Sequence, residues 1–286
     1  MIDSSLPFIL RYLSIMDFMF GHNIHESQLK TYLKTFIKGF AYANLAIILA
    51  LLVFKPQASF IMIIFSSFFA IPFIYTRLKK EEHFILDSKS EKPVLKHHAQ
   101  LFMMFLILFL GFGTAFTGWF IFSPESIQQP LFSVQSEIVN NINLITARII
   151  SVDDFSIILA HNVKVFFVAL ILSFIFGYGA LFILTWNSAL VSVAIGTKVL
   201  SSTGSSFIKI LSFSTLGYML HGIPEFMAYI VAGVIGSIIS IALVNKDINV
   251  KNWKKVAKDS SFLFIISGCL LVISALIEVH VSPFFL

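Results

Sequence analysis

The sequence predicts an all-α fold, a polytopic transmembrane helix bundle, from three observations. Hydrophobic residues make up 57% of the 286 residues, and charged residues make up only 12%. A soluble domain carries roughly 25% charged residues, so this chain has too little polar surface to cover a globule. The apolar residues form runs close to the length of about 20 residues that a bilayer crossing requires. The lysines and arginines stand in short blocks between these runs, which is typical of charge that orients membrane spans.

Composition also excludes several classes of function. The single cysteine, Cys269, lies in an apolar run, which excludes a disulfide framework and a cysteine-rich metal site. The chain has no Gly-rich phosphate loop and no HExxH, CxxC or GxSxG motif, so we predict neither an enzyme nor a cofactor. The net charge of +5 is modest. We therefore expect contact with membrane lipids and none with nucleic acid.

Residues 1–38 are predicted to form an N-terminal amphipathic, interfacial segment. The first residues lack the basic region and cleavage site of a signal peptide, so we expect the N-terminus to be retained. Between residues 26 and 38, lysines recur at every fourth position opposite an apolar face. Such a helix either lies in the membrane interface or extends the first span, and the sequence leaves both readings open.

Six apolar runs are candidate spans. Three belong to an N-terminal group within residues 39–122, and three belong to a membrane core within residues 161–286. Two further apolar pieces, 189–199 and 207–220, flank a serine-rich stretch, and each is short for a full crossing. The six runs cover residues 39–54, 58–75, 101–122, 163–186, 223–244 and 261–278.

Loop charge predicts the orientation of these spans. Lysine and arginine are concentrated in residues 1–38, 76–100 and 245–260, whereas the connection 123–160 contains only Arg148. Basic loops stay in the cytoplasm, so we expect a cytoplasmic N-terminus, a basic cytoplasmic loop at 76–100 and an extracytoplasmic C-terminus. This orientation requires one more crossing than the six runs supply. Broken or re-entrant helices within residues 187–222 would provide it.

The connection 123–160 is predicted to be an extracytoplasmic amphipathic helix. Its apolar residues recur at helical spacing among serine, glutamine and asparagine. The helix either caps the bundle or serves only as an interfacial anchor.

Polar residues in the second half of the chain are the candidate functional residues, because an ionisable group in hydrocarbon is costly. Pro224 places the predicted start of a helix near Ile223, so Glu225 would lie in the first turn, where the helix dipole favours an acid. A contact of His221 and Glu225 with an ion, a proton or a substrate is the competing reading. The other candidates, which cap helices or join that site, are Asn187, Asn162, Glu278, His161 and His280.

These histidines and glutamates have the chemistry of zinc ligands, but their spacing matches no ligand signature, so a metal stays undetermined. Small residues recur on the predicted helix 223–244 at every fourth position. Such a stripe lets helix backbones approach closely in lipid. We assign helix packing to Ala228, Ala232, Gly233, Gly236 and Ser240, and also to Gly177, Gly179 and Gly196.

The same residues resemble a known family. The string His221-Gly-Ile-Pro-Glu225-Phe-Met-Ala228 resembles the His-Gly-x-x-Glu-x-x-Ala signature of stage II sporulation protein M. The ending, in which Ala275 and Glu278 are followed by a proline, is similar to the end of that family. Asn162, Asn187 and the glycines upstream also follow its pattern. The resemblance covers about residues 155–286, and the first three spans look like the extended form of archaeal members.

The resemblance implies a function without an active site. The bacterial sporulation protein is a membrane component of a complex that remodels peptidoglycan, and a separate hydrolase does the chemistry. By this resemblance we expect a scaffold of a cell-envelope or membrane-remodelling complex. We expect it to form a homo-oligomer, with a dimer favoured, and to bind partner proteins of the envelope. The alternative is a permease or channel that moves an ion, a metal or a small solute through the His/Asn/Glu site.

Overall fold

The computed structural model describes residues 26–87, 91–146, 153–176, 179–202, 206–244 and 250–285. In these ranges the protein is almost entirely helical and has no strand, which confirms the predicted all-α bundle. Short 3-10 helices follow the first and the last α-helix, at Lys55–Gln57 and Ser282–Phe284. The α-helices are α1 (Glu26–Val53), α2 (Ala58–Asp87), α3 (Glu91–Phe122), α4 (Glu125–Thr146), α5 (Asp153–Phe176), α6 (Ala180–Ser201), α7 (Phe207–Val244) and α8 (Val250–His280).

Seven of these helices, all except α4, are long and apolar enough to cross a membrane. The run 163–186, predicted as one span, belongs to two helices, because α5 ends at Phe176 and α6 begins at Ala180. Gly179 has no Cβ, and a Cβ there would overlap the backbone of Leu172, so only glycine allows this approach. The amide of Ala180 donates to Ser173 Oγ at 2.6 Å, which satisfies one of the free N–H groups at the start of α6.

Helix α7 is continuous through Pro224, so the prediction that a helix starts near Ile223 is wrong. Its 38 residues extend for about 57 Å at 1.5 Å per residue. Proline is tolerated inside a membrane helix because neighbouring groups satisfy the carbonyl that it frees. The additional crossing predicted for residues 187–222 is therefore supplied by full-length helices α6 and α7, and the described part has no re-entrant segment.

Hydrogen bonds between helices show how α3, α6 and α7 are directed. Ser188 and Ser192 of α6 donate to the carbonyls of Phe109 and Gly113 of α3 at 3.2 and 3.1 Å, so these two helices run in the same direction. Helix α7 runs in the opposite direction. Its start meets the end of α3 at Phe207 and Phe122, and its middle packs Phe226 on Phe109 with ring centroids 4.2 Å apart.

The core of the molecule lies around α3, α6 and α7, the three most buried spanning helices. Phenylalanine side chains of α3 fill the space between them, where dispersion contacts and close packing hold helices together in lipid. Helices α1, α5 and α8 are largely exposed on their outer faces, which are free to contact lipid. The largest buried side chains of α3 are Phe105, Phe109, Phe112 and Phe116.

The connecting helix α4 is amphipathic, as predicted, and it is fixed to the bundle. Its Gln135 is fully buried and accepts a hydrogen bond from Ser59 Oγ of α2 at 2.6 Å. The same side chain donates from Nε2 to the Ser59 carbonyl at 3.2 Å. Two reciprocal hydrogen bonds in a buried position favour a cap on the bundle over a simple interfacial anchor.

Two predictions for the N-terminal half can also be compared with the structure. The basic segment from Glu26 is continuous with the first span in α1, which favours the extension over a separate interfacial helix; residues 1–25 lie outside the described part. Most of the stretch 76–100, predicted as a loop, consists of helical extensions of α2 and α3 around residues 88–90.

Candidate functional site: a polar seam between α7 and α8

Two facing helices bring seven polar side chains together. On α7, Tyr218, His221, Glu225 and Tyr229 recur every three or four residues, so they share one face. On α8 and the 3-10 helix that follows it, Ser274, Glu278 and Ser282 recur every four residues. We call these seven residues the polar seam.

His221 ties α7 to the C-terminal end of the chain. Its Nδ1 lies 2.7 Å from Oγ of Ser282, and its backbone carbonyl accepts a hydrogen bond from Oγ of Ser274 at 2.9 Å. Both serines are buried. The imidazole also packs edge-on against Tyr218, with ring centroids 6.2 Å apart. The histidine is thus held in place by hydrogen bonds from two separate elements.

Glu225 lies at the midpoint of α7. The stabilisation of an acid by the helix dipole falls off within the first turn, so capping cannot account for a carboxyl group here. Glu225 instead accepts a hydrogen bond from the phenol of Tyr229 on Oε1 at 2.8 Å. The prediction that Glu225 occupies the first turn of a helix is wrong because α7 begins 18 residues earlier, at Phe207.

Glu278 completes the seam from α8. It is partly buried and lies close enough to Glu225, Tyr218 and Tyr229 to interact with them electrostatically. Two carboxylates that interact electrostatically in a low-dielectric bundle repel one another unless a proton or a cation compensates their charge. This arrangement is therefore suited to binding a proton or a small cation.

Asn162 on α5 is a further buried polar group. Its side chain is only 4% exposed, and its Nδ2 has no hydrogen-bond partner. An unsatisfied amide is costly in a membrane interior. One turn further along the same face of α5, Phe166 packs against Phe264 of α8 with ring centroids 5.4 Å apart. Asn162 thus lies on the face of α5 that meets the α7–α8 pair.

The remaining predicted site residues do not join the seam. Asn187 donates to the carbonyl of Ile183 in its own helix at 2.8 Å. His161 and His280 are exposed. Within the described residues, no group of three or more His, Cys, Asp or Glu side chains could hold a metal ion. The structure therefore brings together His221, Glu225 and Glu278 and leaves Asn187, His161 and His280 apart.

Sequence reasoning missed four members of the seam: Tyr218, Tyr229, Ser274 and Ser282. The tyrosines carried a usable signal, because each stands three or four residues from His221 or Glu225 and shares their face once the helix is known to be continuous. The placement of Ser282 depends on the turn that follows α8, which residue spacing does not reveal.

The small residues of α7 lie where its neighbours come closest. A Cβ on Gly236 would meet backbone atoms of Leu170 and Phe174 in α5, and one on Gly233 would meet Ala180. Ala228 and Ala232 are fully buried and Ser240 is partly buried. A Cβ on Gly196 in α6 would meet the ring of Phe120. Gly177 lies outside the described residues.

An apolar cavity of about 350 Å³ lies away from the seam, between α2, α5 and the start of α6. Ser67 is the polar side chain in its wall, and its hydroxyl lies within hydrogen-bond distance of the carbonyl of Ile63 and the hydroxyl of Thr185. The cavity therefore offers hydrocarbon surface and no polar contact for a solute.

The fold and the seam define a polytopic α-helical membrane protein with two glutamates in a polar seam between two of its helices. The family model for stage II sporulation protein M matches residues 101–283, more than half of the chain. The protein belongs to this family, which confirms the resemblance seen in its motifs. No curated protein and no solved structure is significantly similar to the chain.

Proposed function

We propose that the protein moves a small cation across the membrane and that the polar seam binds this cation during transport. The observation that carries the proposal is that Glu225 of α7 and Glu278 of α8 each stand one turn from the hydrogen bond between His221 and Ser274, close enough to interact electrostatically. Ionisable residues inside a membrane are costly, and as a rule they mark ion pathways or proton relays. The protein would then act as a permease or a channel.

The positions of the two acids favour this role over a purely structural one. Glu225 stands at mid-helix, and α7 is among the most buried helices of the bundle. A structural cap belongs at a helix end, and a carboxyl group kept only for packing could be replaced by an apolar residue at no loss. His221 and Tyr229, held by the hydrogen bonds described above, fix the geometry of the site.

A second candidate function is a non-enzymatic scaffold of a cell-envelope or membrane-remodelling complex. Membership in the stage II sporulation protein M family favours it. The close helix contacts at Gly233 and Gly236 are also what a rigid membrane scaffold requires. In this role the protein would form a homo-oligomer, with a dimer favoured, and would bind partner proteins of the envelope.

Ion flux into liposomes separates the two functions. The purified protein is reconstituted, and uptake of protons, Na⁺, K⁺ and divalent cations is measured for the wild type, for Glu225→Gln and for Glu125→Gln. Glu125 is the matched control, because it is an exposed glutamate on α4. We expect flux of one cation in the wild type and the control, and its loss in Glu225→Gln. If the wild type moves none of these cations, transport is excluded and the scaffold is favoured.

A further inference from the structure

We infer that the cation held between Glu225 and Glu278 is a proton, and that it is bound together with a water molecule to which Asn162 of α5 donates a hydrogen bond. The inference deepens the proposed function, because it names the ion and adds a third helix to the site. It concerns binding, so it can be tested without transport.

The first step is the direction of α5 relative to α7. Helices α7 and α8 are antiparallel, and Ser274 of α8 bonds to His221. Phe264 lies ten residues before Ser274, or about 15 Å along the helix, which places it level with about residue 231 of α7. Phe166 of α5 packs on Phe264, and Ser173, two turns later, lies against Gly233 and Gly236. Residue numbers therefore increase in the same direction along α5 and α7, so these two helices are parallel.

The second step is the level of Asn162. It stands one turn before Phe166, about 6 Å along α5. In a parallel pair this position is level with the turn of α7 between Glu225 and Tyr229. Its Nδ2 is buried and without a partner, and it lies on the face of α5 that meets α7 and α8. The register thus places a buried, unpaired hydrogen-bond donor at about the level of Glu225.

The third step is the choice of ion. The phenol of Tyr229 already donates to Oε1 of Glu225, and the amide of Asn162 adds a second donor. A metal cation needs several oxygen or nitrogen ligands and is disfavoured beside donated hydrogens. A proton needs only the two carboxyl groups, because it removes one negative charge and forms a hydrogen bond between them.

A water molecule accounts for the free amide. A buried water typically makes about three hydrogen bonds, and here it would accept from Asn162 and donate to the carboxyl groups. The titratable groups that face these carboxyls are Tyr218 and Tyr229, and His221 lies one turn from Glu225 on α7. The site is therefore a shared proton in a hydrated pocket between three helices.

Infrared difference spectroscopy on the purified, lipid-embedded protein tests this inference, with protons as the probe. We expect a carbonyl band of one protonated carboxyl group that titrates with pH and shifts on exchange into D₂O. Glu225→Gln and Glu278→Gln should each abolish the band. Asn162→Leu and Tyr229→Phe should shift it, because each removes one donor. The exposed control Glu125→Gln should leave it unchanged.

Any one of three results would overturn the inference. The wild type could show no protonated-carboxyl band at any pH, added Na⁺ or Zn²⁺ could remove the band, or Asn162→Leu could leave the band unchanged. The wild-type spectrum decides the central point even if a variant fails to fold. A normal band without proton flux in liposomes would refute transport and leave the binding site standing. Na⁺ flux without a protonated-carboxyl band would refute the proton-binding site and leave cation transport standing.

Discussion

The hydrogen-bond partners of Glu225 must be side chains, because the backbone N–H groups at the middle of α7 already bond within the helix. It receives one hydrogen bond from Tyr229, one turn further along the same helix. It also interacts electrostatically with Glu278 of α8, while His221, one turn earlier on α7, is anchored by two serines. These side chains lie in one polar seam, so we expect changes in them to act together.

The first prediction follows from this unit. Glu225→Gln and His221→Ala should each give a folded protein that has lost its activity, and the double variant should be no worse than either single one. Residues that contribute to one binding site show such non-additive effects. The measurement is ion flux in liposomes, with size-exclusion chromatography as the check on folding. Independent, additive losses would contradict a shared site, and full activity in both single variants would reduce the motif to a structural role.

At the residue scale, the sequence pointed to much of this site for reasons that can be stated. The cost of a charge in hydrocarbon singled out Glu225, Glu278 and His221 from a chain that is 57% hydrophobic. The same reasoning also selected Asn187, which turned out to bond within its own helix. A single sequence cannot distinguish an amide that faces its own backbone from one that faces a neighbouring helix.

At the scale of the helices, the contact between α5 and α7 depends on a missing side chain. A Cβ on Gly236 would meet the carbonyl of Leu170 and the amide of Phe174, which are backbone atoms. Backbone cannot move aside as a flexible side chain can, so the two helices would have to separate. This contact also sets the register that brings Asn162 towards the seam.

The second prediction concerns this contact. Gly236→Leu and Ala232→Leu should lower the thermal stability of the purified protein, because overpacking typically costs about 1–3 kcal/mol. Gly268→Leu is the matched control, because Gly268 lies within α8 and a Cβ there would meet nothing within 4 Å. Unchanged melting of both α7 variants would show that the stripe does not pack against a neighbour.

The third prediction concerns the docking of α4. Gln135→Ala should destabilise the protein by about 1–3 kcal/mol, because it leaves the buried hydroxyl of Ser59 without its acceptor. A double-mutant cycle with Ser59→Ala measures the coupling between the two side chains, and we expect it to be clearly non-zero. The control is Gln129→Ala, an exposed position on the same helix. No coupling would mean that α4 is held to the bundle by its apolar face alone.

The helix boundaries show where sequence reasoning stopped. Apolar residues continue from α5 into α6 without a change of period, so the run 163–186 read as one span, and the glycines at its centre looked like packing residues. The structure places Gly179 close against Leu172, a contact that hydropathy does not reveal. Pro224 led to the opposite error. Proline usually marks a helix boundary, but here it lies within the continuous helix α7.

For the whole molecule, seven crossing helices and the distribution of charge lead to the same orientation. Fifteen of the twenty lysines and arginines lie in residues 1–38, 76–100 and 245–260. If all seven candidate helices cross, these three stretches fall on one side of the membrane, and the positive-inside rule predicts that this side is the cytoplasm. The turn between α1 and α2 and the end of α8 are then predicted to lie on the other side.

The last prediction tests this orientation with introduced cysteines. The single native cysteine is exposed, so it is first replaced in Cys269→Ala. Lys254→Cys at the start of α8 and Phe284→Cys in the 3-10 helix after it are both exposed positions. A membrane-impermeant thiol reagent applied to intact cells should label Phe284→Cys and leave Lys254→Cys unlabelled until the cells are opened. Gln57→Cys, in the exposed turn between α1 and α2, should behave as Phe284→Cys does. Equal labelling of Lys254→Cys and Phe284→Cys in intact cells would mean that the ends of α8 are not on opposite sides. The seven-crossing arrangement and any transport path along the seam would then both be refuted.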